Sequence, residues 1–201
     1  MADGGDGMPR VSGDHLDRWT CTDRTSETVF QLPVAEIVGH TAVYDDDDLR
    51  TTIRDLSGGS VDRMWRFFFA TRLEFTPTLP PAVGPAAVFS TVEAEANSEF
   101  VDTLRERGFR NVTETNRRRI SAGTGGSAFL TSYDATVDTS IIDVDVEGHV
   151  AVWTTSGEFR LAGGAYPARS LADIVGMEVP GIDIDPDAFH DELLDLIRSV
   201  R

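Results

Sequence analysis

From residue 142 to residue 152 the chain alternates with a period of two. Ile142, Val144, Val146, Val150 and Val152 stand against Asp143, Asp145, Glu147, His149 and Ala151. Successive side chains of a strand point to opposite faces, so this run fits a half-buried strand and not a helix. A strand of this kind needs partners, and the flanking sequence offers them. Residues 110–120 and 127–138 read as a hairpin around Gly123-Thr124-Gly125-Gly126. Phe159, Leu161 and Ala165 read as the strand that follows, with Gly163-Gly164 as a bulge or a crowded crossing.

The first half repeats the pattern. Thr28, Phe30 and Leu32 alternate, and Val38, His40, Ala42 and Tyr44 extend a second strand. Trp65, Phe67, Phe69, Leu73 and Phe75 then line one face of an aromatic strand. Its neighbours Phe67, Phe68 and Phe69 make both faces apolar, which marks a central strand covered on two sides.

Helical periods interrupt the strands. Asp45 to Asp48 open one helix, in which Leu49, Ile53 and Leu56 recur at i, i+4, i+7 before Gly58-Gly59. After a proline-rich connector over Pro77 to Pro85, Ser90-Thr91-Val92-Glu93 has capping-box spacing. Val92, Ala96, Phe100 and Leu104 continue that helix to about Arg107, where Gly108 suits the C′ position. Asp185-Pro186 form an N-cap and N1 pair for a last helix with the stripe Phe189, Leu193, Leu196, Ile197 and Val200.

Hairpin-linked strands with helices between them predict an α+β fold. The expectation is one domain over residues 27–201: a largely antiparallel sheet of about six to seven strands covered by about three helices, sandwich-like. Residues 1–26 are rich in Gly, Asp, Ser and Thr and lack periodicity, and are expected to form a flexible or loosely docked arm.

Charge sets the solvent. The 201 residues carry 34 acids against 18 basic residues, a net charge of −16, and every basic residue is Arg. Strong acidity without Lys points to a salt-in halophile, in the manner of haloarchaea. At molar salt the Debye length is about 3 Å, so carboxylate self-repulsion is screened while the surface stays hydrated. The same charge disfavours nucleic acid and anionic membranes as partners. Cys21 stands alone, no secretory leader is visible at the start, and no apolar run has the length of a membrane span, so a cytoplasmic location is expected.

The chemistry-bearing motifs are few. Asp143, Asp145, Glu147 and Gly148 imitate the opening of an EF-hand loop, but Thr154 stands where a bidentate Glu is required. Asp183, Asp185 and Asp187 suit a helix start. His15, His40, His149 and His190 include no pair at H-x-x-x-H spacing, so His40 and His149 read as sheet-face residues. No metal, cofactor or catalytic residue is expected. The one local reversal of charge is Arg117, Arg118 and Arg119 before the glycine-rich turn of Gly123, Gly125 and Gly126. Arginines and turn N–H groups together can grip a phosphate or carboxylate, so these six residues are the candidate anion site.

Tyr133-Asp134-Ala135, Gly148-His149-Val150-Ala151-Val152-Trp153, Phe159-Arg160-Leu161 and the closing Leu196-Ile197-Arg198-Ser199-Val200 together resemble the PsbP and Mog1-like group of α/β/α proteins. The resemblance covers roughly the second half of the chain. It implies antiparallel strands running into a final amphipathic helix, and a protein partner rather than catalysis. It carries no catalytic residue across. Two functions follow as expectations: a non-enzymatic protein-binding domain, or a binder or enzyme for a small anion, nucleotide or acidic metabolite, at Arg117–Arg119 and Gly123–Gly126.

Overall fold

The computed structural model describes residues 7–12, 15–33, 35–59, 62–79, 83–123, 125–138, 143–169 and 185–201. In chain order the elements are β1 (Thr20–Leu32), β2 (Ala35–Asp45), α1 (Asp47–Leu56), β3 (Phe67–Thr76), α2 (Pro85–Glu106), β4 (Phe109–Ser121), β5 (Ser127–Asp138), β6 (Asp143–Thr155), β7 (Glu158–Pro167) and α3 (Pro186–Ser199). The strands form one seven-stranded sheet in the order β1-β2-β3-β7-β6-β5-β4. Every neighbouring pair is antiparallel. The fold is α+β.

Two strand groups meet in the middle. β1, β2 and β3 are paired in sequence order, and so are β4 through β7. β7 closes the gap by pairing with β3, and that seam demands glycine. A Cβ on Gly163 would lie 2.3 Å from the His149 carbonyl oxygen, and one on Gly164 would lie 2.0 Å from that of Phe67. The pairing of β7 runs without a register break on either side, so Gly163-Gly164 is a crowded crossing and not a bulge. The β6–β7 hairpin turns on Ser156 and Gly157, both at positive φ (53° and 85°), as a two-residue turn of matching twist requires.

The central-strand reading of the aromatic run holds. Phe67 and Phe68 point to opposite faces of β3 and are 1 % and 0 % exposed. Phe68 meets Trp19 and Tyr44, with ring centroids 6.4 and 5.7 Å away. Phe69, on the α2 side, meets Phe100 at 5.9 Å.

Helix α1 begins as expected: the Asp46 carboxylate accepts from the Leu49 N–H at 3.1 Å. Helix α3 begins on Asp185, whose carboxylate accepts from the Asp187 N–H at 3.0 Å, and its stripe Phe189, Leu193, Leu196, Ile197 and Val200 is buried. Helix α2 departs from expectation. It starts at Pro85 behind Gly84, so Ser90-Thr91-Val92-Glu93 lies inside the helix and caps nothing. Pro85 serves as N1, where its fixed φ and missing N–H cost nothing, and this recruits the end of the connector into the helix.

The boundary at residue 26 also moves. Residues 1–6 and 13–14 of the expected arm lie outside the described residues, but β1 starts at Thr20 and Trp19 is 8 % exposed. The Trp19 indole N–H donates to Glu192 on α3 at 3.0 Å. Arg10 and Arg201 exchange both backbone hydrogen bonds, at 3.1 and 2.7 Å. A buried indole with a satisfied N–H is a strong anchor, and short polar residues around it do not signal one. Both outermost strands carry register breaks, β1 at Cys21/Asp23 and Thr28/Phe30, β4 at Arg110/Thr113 and Glu114/Asn116. Among the described residues no helix is long and apolar enough to cross a membrane.

Candidate functional site

Strand alternation decides where the three arginines go. Arg117 and Arg119 project toward α2 and bracket the Phe129 ring, at 5.2 and 4.7 Å from its centroid. The Arg117 guanidinium also meets Glu93 of α2 at 2.5 Å. Arg118 projects from the other face, toward His190 of α3, with Nη2 3.5 Å from Nε2. The turn does not join them. A Cβ on Gly123 would fall 1.4 Å from the Arg198 carbonyl oxygen, so this glycine is used for close approach to the end of α3. Gly125 supplies a positive φ of 80°. The six residues are thus divided between two faces and a turn.

The acidic runs are absorbed as expected by strand faces and helix starts. Asp145 pairs with Arg169 at 2.7 Å, Asp45 with Arg50 at 3.3 Å, and Asp46 with Arg66 at 3.0 Å. Asp183 lies outside the described residues. His40 lies against Ser26 and Glu74, at 2.9 and 3.3 Å.

Arg118 leads to a polar cluster that the sequence reading does not contain. Glu147 and His149 share one face of β6 at i, i+2. Tyr166 stands opposite Glu147 on β7, Ser132 opposite His149 on β5, and α3 brings His190 over them. The Tyr166 hydroxyl lies 2.7 Å from Glu147 Oε2, 3.0 Å from His149 Nε2 and 2.8 Å from His190 Nδ1. Ser132 Oγ lies 2.9 Å from His149 Nδ1.

An ionised carboxylate only accepts, so Tyr166 donates to Glu147, and its oxygen accepts from His149 Nε2–H and His190 Nδ1–H. His149 Nδ1 is then bare and accepts from Ser132, while His190 Nε2 is bare and faces the Arg118 donor. Every proton has a place when both imidazoles are neutral. Burial, with His190 and Arg118 nearby, pushes His149 down to about 4, in keeping with that assignment. Burial and the Glu147 carboxylate push the Tyr166 phenol up. The cluster opens into a polar pocket of about 340 Å³ bounded by Thr115, Asn116, Arg118 and Asp134. Glu147, His149 and His190 present donor atoms within 4.8 Å of one another and are the described residues placed to hold a metal.

A second concavity follows from the topology. Helix α2 spans the β4-to-β7 half of the sheet, leaving a cleft of about 400 Å³ between it and β1–β3. Val43, Phe67, Phe69, Leu73 and Leu161 form an apolar floor. The rim is mainly acidic: Asp23 and Glu27 on β1 face Glu95, Glu99 and Glu106 on α2, with Arg107 as the one basic residue of the lining. Among the described residues none of these five carboxylates is in a salt bridge, whereas Arg50, Arg66, Arg72, Arg117 and Arg160 each meet a carboxylate elsewhere. Partial burial, reinforced by Asp102, Glu106, Glu27 and Glu95, raises the Glu99 carboxyl above its ordinary range.

No curated protein matches the chain. A family match spans residues 8–201, nearly the full length, and therefore includes both the polar cluster and the cleft. The chain belongs to the family described as a domain of unknown function, DUF6517.

Proposed function

We propose that this chain is a non-enzymatic interaction domain of a high-salt cytoplasm, which holds an apolar, arginine- or lysine-bearing segment of a protein partner in the cleft between α2 and β1–β3. The observation that carries this reading is the pairing of an apolar floor with five rim carboxylates that are in no salt bridge among the described residues and outnumber the single cation lining the cleft, Arg107. A cationic segment relieves their mutual repulsion while its apolar side chains cover Phe69 and Val43. At molar salt the long-range attraction is screened, but direct carboxylate–cation contacts and the apolar burial persist, so the partner is chosen by both. The net charge of −16 with Arg as the sole basic residue supports the halophilic setting. The resemblance of the second half to the PsbP and Mog1-like group, whose members mostly bind proteins, supports a protein partner.

The test is titration calorimetry of the folded chain at 0.2 and 2 M KCl with two amphipathic peptides, one Leu/Arg and one Leu/Glu. Binding of the basic peptide alone, weakened several-fold by Glu99→Gln plus Glu95→Gln, supports the reading. Equal affinity for both peptides, or no change in the double variant, overturns it.

A further inference from the structure

We propose that Glu147 Oε2, His149 Nε2 and His190 Nδ1 form a binding site for a divalent transition-metal ion of the zinc class. The site is independent of the cleft between α2 and β1–β3, and lies on the opposite face of the sheet.

Three features converge on it. The donor set is two imidazoles and one carboxylate, a combination that suits Zn²⁺. Glu147 Oε2 and His149 Nε2 are 3.8 Å apart, and all three donor atoms lie within 4.8 Å of one another. Tetrahedral zinc with bonds of about 2.0–2.1 Å separates its ligands by roughly 3.3 Å, so the closure needed is about an ångström or less per group. Glu147 and His190 are the two less buried members, and they can supply it. Finally, the supporting groups are in place. Ser132 holds the far nitrogen of His149 at 2.9 Å, the outer contact that orients a metal ligand, while the Tyr166 hydroxyl, 2.7 to 3.0 Å from all three donor atoms, adjoins the ion and stands ready as a fourth ligand.

Proton bookkeeping separates a metal site from a self-sufficient hydrogen-bond network. In the metal-free cluster both imidazoles carry their protons on the nitrogens that face Tyr166. Coordination requires those nitrogens bare, so each proton moves to the far nitrogen of its own ring. For His149 this is easy, since Ser132 Oγ accepts as readily as it donates. For His190 the proton then sits on Nε2, facing the Arg118 guanidinium at 3.5 Å, and donor meets donor. Arg118 thus opposes the metal form both by its charge and by its N–H. Removing it has an opposite sign for the two cases: a bound ion is held more tightly, whereas a hydrogen-bond network merely loses a donor.

The experiment uses the full chain, stripped with chelator and dialysed into 2 M KCl to suppress loose binding to surface carboxylates. ZnCl₂ is titrated by calorimetry, and CoCl₂ by its visible absorption, which reports low-coordinate nitrogen ligation. The expected result is one ion per chain, with affinity lowered at least tenfold by Glu147→Gln and by His190→Gln and raised several-fold by Arg118→Gln. Circular dichroism of each variant establishes that it is folded; both substituted ligands are partly exposed, which favours this. Absence of a stoichiometric site, or equal affinity in folded Glu147→Gln and His190→Gln, overturns the proposal. So does an Arg118→Gln variant that binds more weakly than the parent.

Discussion

Arg66 Nη1 lies 3.0 Å from Asp46 Oδ2, and both side chains are 1 % exposed. The same guanidinium is 2.9 Å from Glu192 of α3 and lies between the Trp19 and Phe189 rings, at 4.7 and 4.2 Å. Asp46 also caps α1, so Arg66 ties α1, and through Glu192 α3, to the start of β3. Removing Asp46 leaves the buried guanidinium with the partly exposed Glu192 as its remaining counter-ion and takes the cap from α1, which is more costly than removing both partners. Asp46→Ala is expected to cost about 3 kcal/mol in denaturant unfolding. Asp46→Ala combined with Arg66→Met should recover part of that loss. Simple addition of the two single effects in the cycle would show that they are not coupled.

The β3–β7 seam makes a second prediction. Gly164→Ala drives a methyl group into the Phe67 carbonyl, and Gly163→Ala drives one into that of His149. Each should lower stability by about 3 kcal/mol or more, because backbone on both sides prevents relief. Gly84→Ala, where a Cβ meets nothing within 4 Å, should change it by less than about 1 kcal/mol. Thermal unfolding of the three variants gives the ranking.

His149 should make the metal-free protein acid-sensitive. The groups facing it are Ser132 from β5, Glu147 on its own strand, Tyr166 from β7, His190 from α3 and Arg118 from β4. Its folded value, about 4, lies below the ordinary 6.5, so the unfolded chain binds more protons between those limits. Stability therefore falls as pH drops from 6.5 toward 4, by on the order of 3 kcal/mol, and is retained above 6.5. His149→Gln should flatten that slope in urea unfolding at pH 7 and pH 4.5 with chelator present.

The three adjacent arginines should behave as unlike residues. Arg117 neutralises Glu93, whose side chain is 7 % exposed, so Arg117→Ala leaves a buried carboxylate without its cation and should cost about 2 kcal/mol. Arg118→Ala touches neither that pair nor the Phe129 ring and should cost well under 1 kcal/mol. Matched denaturation curves at one salt concentration decide it.

Much of the fold was legible because local periods carried it. The alternation through Val144, Val146, Val150 and Val152 marks β6, and the stripe from Phe189 to Val200 marks α3. Gly163-Gly164 left a bulge and a crowded crossing both open, and only the unbroken register of β7 against β3 and β6 decides for the crossing. The start of α2 was not legible, because Pro85 reads equally as the end of a connector and as the first residue of a helix. The polar cluster was hidden for a different reason. His149 and His190 are 41 positions apart, and no spacing rule joins residues that meet only when a helix folds back over a sheet. One local signal existed: Glu147 and His149, two apart on a strand, necessarily share a face. For Arg117, Arg118 and Arg119 the same rule works in reverse, since adjacency on a strand separates side chains.

The register breaks in β1 and β4 bear on how copies of this chain behave toward one another. A sheet that ends in a straight, regular strand offers its free N–H and C=O groups as a template to the next molecule. Here both ends are interrupted twice, and their side chains are mostly exposed and polar. The breaks leave no regular run longer than six residues on either rim, Asp23 to Thr28 and Asn116 to Ser121, so each edge is a shortened and twisted template for a second sheet. Added salt screens the repulsion that a net charge of −16 sets up between copies, whereas irregular rims are a safeguard that does not depend on salt.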